Sequence, residues 1–227
     1  MGLFDKFLNS DSKKPISALE RKKQSENILR KNNIPYIDHL PFIEEESEVK
    51  IRQASEIAKR ILILTYLCYV GEVPKARQEV IDFLKSENLW ESVSIEEQKL
   101  FNKTMNEQDK ANVSWRSESI WLLLWSINKI DKLDLPYQSV KVQDVVKFLP
   151  PFMTSTKEFI NFATIRKTPE LLDVADLLYR LHWATRQAQI TKTNSTKLDP
   201  SVVYERHYAI NWVTYYADNW DDVTTDT

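Results

Sequence analysis

The stretch TPELLDVADLLYRLHWATRQAQI, residues 168–190, decides the fold. Thr168 followed by Pro169 marks a helix start, because the proline ring presets φ and the N–H it lacks would go unpaired in a first turn anyway. Apolar side chains then recur at three- and four-residue spacing, with no glycine and no second proline to stop the helix. At about 100° per residue, His182 and Arg186 share the arc of Leu172, Tyr179, Trp183 and Ile190. Asp173, Asp176, Arg180 and Gln187 take the polar arc, where Asp176 and Arg180 form a solvated i, i+4 pair.

Helical periodicity continues outward from this stretch. After the N-cap signal Asp199–Pro200, a helix over about 200–217 centres Arg206 on the stripe of Val202, Val203, Ile210, Val213 and Ala217. His207 falls on its wet side, and Glu205 lies between Trp212 and Tyr216. Upstream, VSWRSESIWLLLWSINKI is apolar almost all round and belongs at the centre of the fold, with Glu118 on the face of Trp121 and Trp125. Capping boxes at Ser17/Glu20, Ser94/Glu97 and Ser155/Glu158, with proline-marked connections, place further helices at about 17–32, 47–70, 74–87, 95–106, 112–130, 140–149 and 156–164. The reading is all-α: a single irregular multi-helix domain of eight or nine helices over 17–227, preceded by a flexible segment 1–16.

Glycine usage supports this and excludes several chemistries. The 227 residues hold two glycines, where average usage would give about sixteen. Dinucleotide fingerprints, P-loops and nucleophile elbows all need more, because backbone there must enter space that a Cβ would fill. Primed hairpin turns also lean on glycine. Gly71, the one interior glycine, reads as the C-cap of the 47–70 helix.

The formal net charge is −2, but the ends differ. Residues 1–31 carry eight Lys/Arg against four Asp/Glu, and residues 199–227 carry one Arg against six Asp/Glu. The basic end has few aromatics, which argues against nucleic acid as a partner. The apolar run ILILTYLCYV is too short to span a bilayer. No signal peptide is apparent, and Lys6 stands where a myristoylation signal wants Ser or Thr. Cys68, the single cysteine, reads as a buried, reduced thiol of a cytoplasmic protein. Three histidines without HExxH or a repeated Glu-x-x-His make a metal centre improbable, and no cofactor is implied.

Charges on apolar faces must be paired or wet, since an unpaired buried charge costs several kcal/mol. Glu118 and Glu205 against Arg186 and Arg206 make a neutral set. Asp221, Asp222 and Asp226 in the tail could lock it onto either arginine, with Trp220 and Val223 docking. One reading is an internal ion network. The other is a cleft in which the arginines and His182 bind an anionic group, with Glu118 or Glu205 as a possible base.

Three segments, TPELLDVADLLYRLHWATRQA, VVYERHYAINWV and WDDVTTDT, together resemble the bacterial family known as domain of unknown function 4272; WRSESIWLLLWSI and KIRQASEIAKRIL are similar more loosely. The resemblance implies no activity. It singles out Tyr179, Arg180, His182, Trp183, Arg186, Glu205, Arg206, His207, Asp221, Asp222 and Asp226, to which the helical wheel adds Glu118. The expectation is a binding or interaction module, its Arg/His/Trp-lined cleft covered by the acidic tail and recognising a protein partner or a small anionic ligand. The alternative is a metal-independent enzyme acting on such a ligand. Homo-oligomers are compatible with either.

Overall fold

The computed structural model describes residues 16–193 and 196–227. The expected flexible segment 1–16 thus lies, apart from Ile16, outside the described residues. Nine α-helices and no strand occur among the described residues. They are α1 (Ala18–Lys31), α2 (Ala54–Glu72), α3 (Arg77–Ser86), α4 (Ile95–Asn102), α5 (Glu107–Ser126), α6 (Val142–Val146), α7 (Lys157–Asn161), α8 (Thr168–Thr191) and α9 (Pro200–Val213). The fold is all-α. Packing runs as a succession in which α2 lies on α5, α5 on α9, α9 on α8 and α8 on α1. The apolar α5 is central: Ile120, Leu122, Leu123, Leu124 and Trp125 are all buried.

Local signals explain most boundaries. The boxes Ser17/Glu20 and Ser94/Glu97 cap α1 and α4 as expected, and the Asp199 carboxylate accepts from the Ser201 and Val202 amides ahead of Pro200. Two further boxes, Gln53/Glu56 and Asn106/Asp109, start α2 and α5. That delays α2 from 47 to 54 and advances α5 from 112 to 107. The Ser155/Glu158 box does not form; Thr156 precedes α7, and its amide and hydroxyl are taken by Glu87. Helix α9 ends at Val213, before 217, because Arg52 binds its C-terminal end. Its guanidinium donates to the carbonyls of Trp212, Ala217 and Asp218, and stacks between the rings of Trp212 and Tyr215.

Gly71 is not a C-cap. It lies inside α2, and positive φ is carried instead by Asn33, Asn88, Asn128, Met153, Lys192 and Tyr215. The three asparagines sit two residues beyond the ends of α1, α3 and α5. Each completes a Schellman pair, for example Asn33 N–H to the Arg30 carbonyl and Ile34 N–H to the Leu29 carbonyl. Asparagine tolerates the left-handed region better than most residues, so helices end cleanly without glycine. A Cβ on Gly71 would meet Val113 Cγ1 at 3.6 Å and Met105 Sδ at 3.8 Å, ordinary contact. Gly71→Ala is therefore expected to stabilise the protein by about 0.5–1 kcal/mol, read as a higher urea midpoint; a lower midpoint refutes this.

Cys68 is half-buried rather than fully buried. Its thiol donates to the Val113 carbonyl, and desolvation pushes its pKa up to about 12, so it remains a thiol. No helix is long and apolar enough to cross a membrane among the described residues.

Candidate functional site

The expected residues separate into a sealed ion pair, a second sealed pair, two open clefts on either side of the α8–α9 seam, and a third cleft of about 540 Å³ lined by Asp221 and Asp222. Arg206 and Glu118 form the first pair. Nε of the guanidinium donates to Glu118 Oε2 at 3.0 Å, and Nη2 lies 2.9 Å from the same oxygen as an ion pair. Nη1 donates to the Asp134 carbonyl, and Glu118 Oε1 accepts the Val140 amide. Burial lowers the Arg206 pKa and Glu118 opposes that shift. With all these valences used, neither side chain is free to bind a ligand or to act as a base.

The second pair corrects the helical wheel. Asp176 and Arg180 are fully buried, not solvated, and joined by two hydrogen bonds of 2.9 and 2.8 Å. Arg180 also donates to the Pro41 carbonyl. Because α8 is covered by α1 on one side and α9 on another, its polar arc is internal. An i, i+4 pair tolerates this because each charge brings its own partner.

The tail aspartates reach neither Arg206 nor Arg186. Asp221 instead accepts from Ser94 Oγ (2.6 Å) and the Glu96 amide (3.0 Å) at the start of α4, where a carboxylate satisfies orphan donors and complements the helix dipole. Asp222 accepts from Asn219, and Asp226 from Thr224. Trp220 and Val223 are buried. Trp220 meets the rings of Tyr208 and Trp212 edge-on, its carbonyl accepts the Tyr208 hydroxyl, and the guanidinium groups of Arg60 and Arg116 lie over its indole.

One cleft opens between α5, α8 and the start of α9. Trp115, Arg116, His182, Arg186, Tyr204 and Glu205 line it, and its volume is about 450 Å³, within the range of small-molecule sites. The Glu205 carboxylate accepts from Ser119 Oγ at 2.7 Å and pairs with Arg116 at 3.2 Å. Burial is the largest single influence and disfavours the Arg116 cation, but Glu205 together with Tyr208, Glu97 and Tyr204 more than offsets it, and the pKa ends above its ordinary value. Arg186 is exposed, unlike its expected position on a buried face, and among the described residues no carboxylate forms an ion pair or hydrogen bond with it. The reason is length. At about 1.5 Å per residue, α8 outreaches α9, so its last turns, with Ile190 also exposed, project beyond the packed seam.

The other cleft, about 460 Å³, is lined by Tyr179, His207, Lys50, Glu44, Glu48 and Asp226 among others. Here the tail does border a site, although not the Arg186 cleft. His207 is buried rather than wet. Between the clefts, His182 Nδ1 and His207 Nδ1 are 3.0 Å apart, with the rings edge to face. Desolvation lowers the His182 pKa to about 4, helped by Arg186, and that of His207 to about 3, helped by His182. Both imidazoles are neutral near pH 7. Trp183 is half-buried against the core and enters neither cleft.

Of the expected residues, His182, Arg186 and Glu205 share one cleft, and Tyr179, His207 and Asp226 the other. Trp115, Arg116 and Tyr204 were missed. A signal for Arg116 was present: Glu205 among aromatic rings needs a guanidinium, and Arg116 is the arginine of the central helix. No group of three or more His, Cys, Asp or Glu side chains converges on a metal position among the described residues.

A search of curated proteins and of solved structures finds no match to the chain. The family model described as Domain of unknown function (DUF4272) matches residues 21–223. That span contains both clefts except Asp226, as well as both sealed ion pairs. The chain therefore belongs to the DUF4272 family.

Proposed function

We propose that this protein is a binding module of one helical unit, residues 17–227, acting in the cytoplasm, and that its Arg186 cleft takes a small anionic ligand. One observation carries the reading: among the described residues Arg186 stands without an acidic partner, in a cleft walled by Trp115 and Tyr204. The buried arginines 21, 52, 60, 180 and 206 are by contrast each paired with a carboxylate. A planar guanidinium offers paired donors to a carboxylate or phosphate. With no glycine-rich loop in the chain, side chains must hold the anion. A metal-independent enzyme is the second reading, favoured by neutral His182 and Glu205 sharing that cleft. Glu118 has no part in it, being held by Arg206.

Thermal-shift measurements against a panel of phosphorylated and carboxylated metabolites test this. Stabilisation by at least one compound is expected, with affinity falling about tenfold or more in Arg186→Ala, as for loss of a charge-assisted contact of about 1.5–3 kcal/mol. Silence across the panel would count against a small anion and favour a protein partner.

A further inference from the structure

We propose that the His182–His207 pair couples two ligand sites, the Arg186 cleft for an anion and the Tyr179–His207 cleft for a ligand bearing a protonated amine. Proton bookkeeping on the imidazoles leads there. Two neutral rings carry two protons on four nitrogens, and the Nδ1···Nδ1 contact of 3.0 Å consumes one of them. If His182 donates through Nδ1, its Nε2 is bare and His207 carries its second proton on Nε2. If His207 donates, the positions reverse. One ring therefore always offers Nε2–H while the other offers a bare Nε2.

Each ring lines a different cleft, His182 beside Arg186 and His207 beside Tyr179. An anion beside Arg186 favours Nε2–H on His182. This requires His207 to donate through Nδ1, which leaves Nε2 bare on the ring that lines the second cleft. That nitrogen then accepts a hydrogen bond, so the matching ligand is an N–H donor. Converting one arrangement into the other takes up a proton at His182 Nε2, passes one between the Nδ1 atoms, and releases one from His207 Nε2; both rings are neutral in each end state.

The walls of the second cleft agree with the ligand's sign. Glu44, Glu48 and Asp226 face it against a single cation, Lys50. The two rings are buried, at 5% and 3% exposure. Solvent is thus kept from bridging them and uncoupling the tautomers. The environment is desolvated enough to keep both neutral. Reciprocity follows from linkage: whatever factor the anion adds to amine affinity, the amine adds to anion affinity.

The anion half of this inference rests on the proposed function of the Arg186 cleft; the amine half does not. The test uses the full chain labelled with ¹⁵N, whose three histidines allow assignment, with inorganic phosphate and methylammonium as probes. Long-range ¹H–¹⁵N spectra are expected to show complementary tautomers for His182 and His207. Methylammonium alone, and phosphate alone, should each move His182 toward Nε2–H and His207 toward Nδ1–H. Saturating phosphate should tighten methylammonium binding about fivefold, at the low end of measured couplings, and His207→Phe should remove that enhancement while phosphate still binds. Two Nε2–H rings in the wild type, or no tautomer shift with methylammonium, overturns the proposal. A response to methylammonium with none to phosphate overturns the anion reading and the coupling, but leaves the amine site standing.

Discussion

Glu118→Ala is expected to destabilise the protein by about 3–5 kcal/mol, the cost of stranding one partner of a buried ion pair. The substitution leaves the Arg206 guanidinium buried with only the Asp134 carbonyl as acceptor, and it strips the Val140 amide of its partner. Arg206→Met should cost a comparable amount by stranding the carboxylate. Combining Glu118→Leu with Arg206→Met removes both charges. That double variant should recover most of either single loss, since an apolar replacement of a whole buried pair is often neutral. Urea denaturation of the three variants measures this. A single loss below about 1 kcal/mol, the level of an exposed pair, would show that the site is wetter than its geometry states. Phosphate affinity in the Arg186 cleft should change little, because Arg206 does not line it.

Trp220→Ala should cost about 3–5 kcal/mol, as for deletion of a large buried aromatic. The loss has a regional signature. Trp220 is the contact that packs the segment after α9 against Tyr208, Trp212, Arg60 and Arg116. Amide exchange should accelerate first in residues 214–227 and at the start of α4. Asp221→Ala removes only a half-buried cap and should cost about 0.5–2 kcal/mol. Equal losses in the two variants would mean that the carboxylate, not the indole, holds the tail. A Trp220→Ala protein with unchanged exchange in 214–227 would refute the docking role.

The contrast between these residues shows where sequence reasoning worked. Glu118 and Arg206 were legible as charges in need of partners, because each interrupts an apolar arc, but their pairing with each other rather than with Arg186, Glu205 or the tail aspartates was not. Asp176, Arg180 and His207 were misplaced for a shared reason. A helical wheel assumes one dry face, whereas α8 and α9 are each packed on two sides, so their polar arcs are internal too. Arg186 and Ile190 erred the other way, since periodicity does not report where a neighbouring helix stops. The two clefts depend on helices distant in sequence, and the pairing of His182 with His207 across a seam leaves no trace in either helix alone. Helix number and order were legible, because capping residues and prolines act locally; the starts of α2 and α5 shifted where Gln53 and Asn106 took the capping role.

The asparagines that close α1, α3 and α5 also bear on the state the protein leaves behind when it folds. A glycine at each would fit the left-handed turn with less strain. It would also loosen the denatured chain, which gains conformational freedom at every glycine and must surrender it on folding. By ending its helices with asparagine, this chain accepts a little local strain in the native state and begins from a less disordered unfolded ensemble. Asn33→Gly, Asn88→Gly and Asn128→Gly therefore set two opposing contributions of similar size against each other, and their effect on stability is small for that reason.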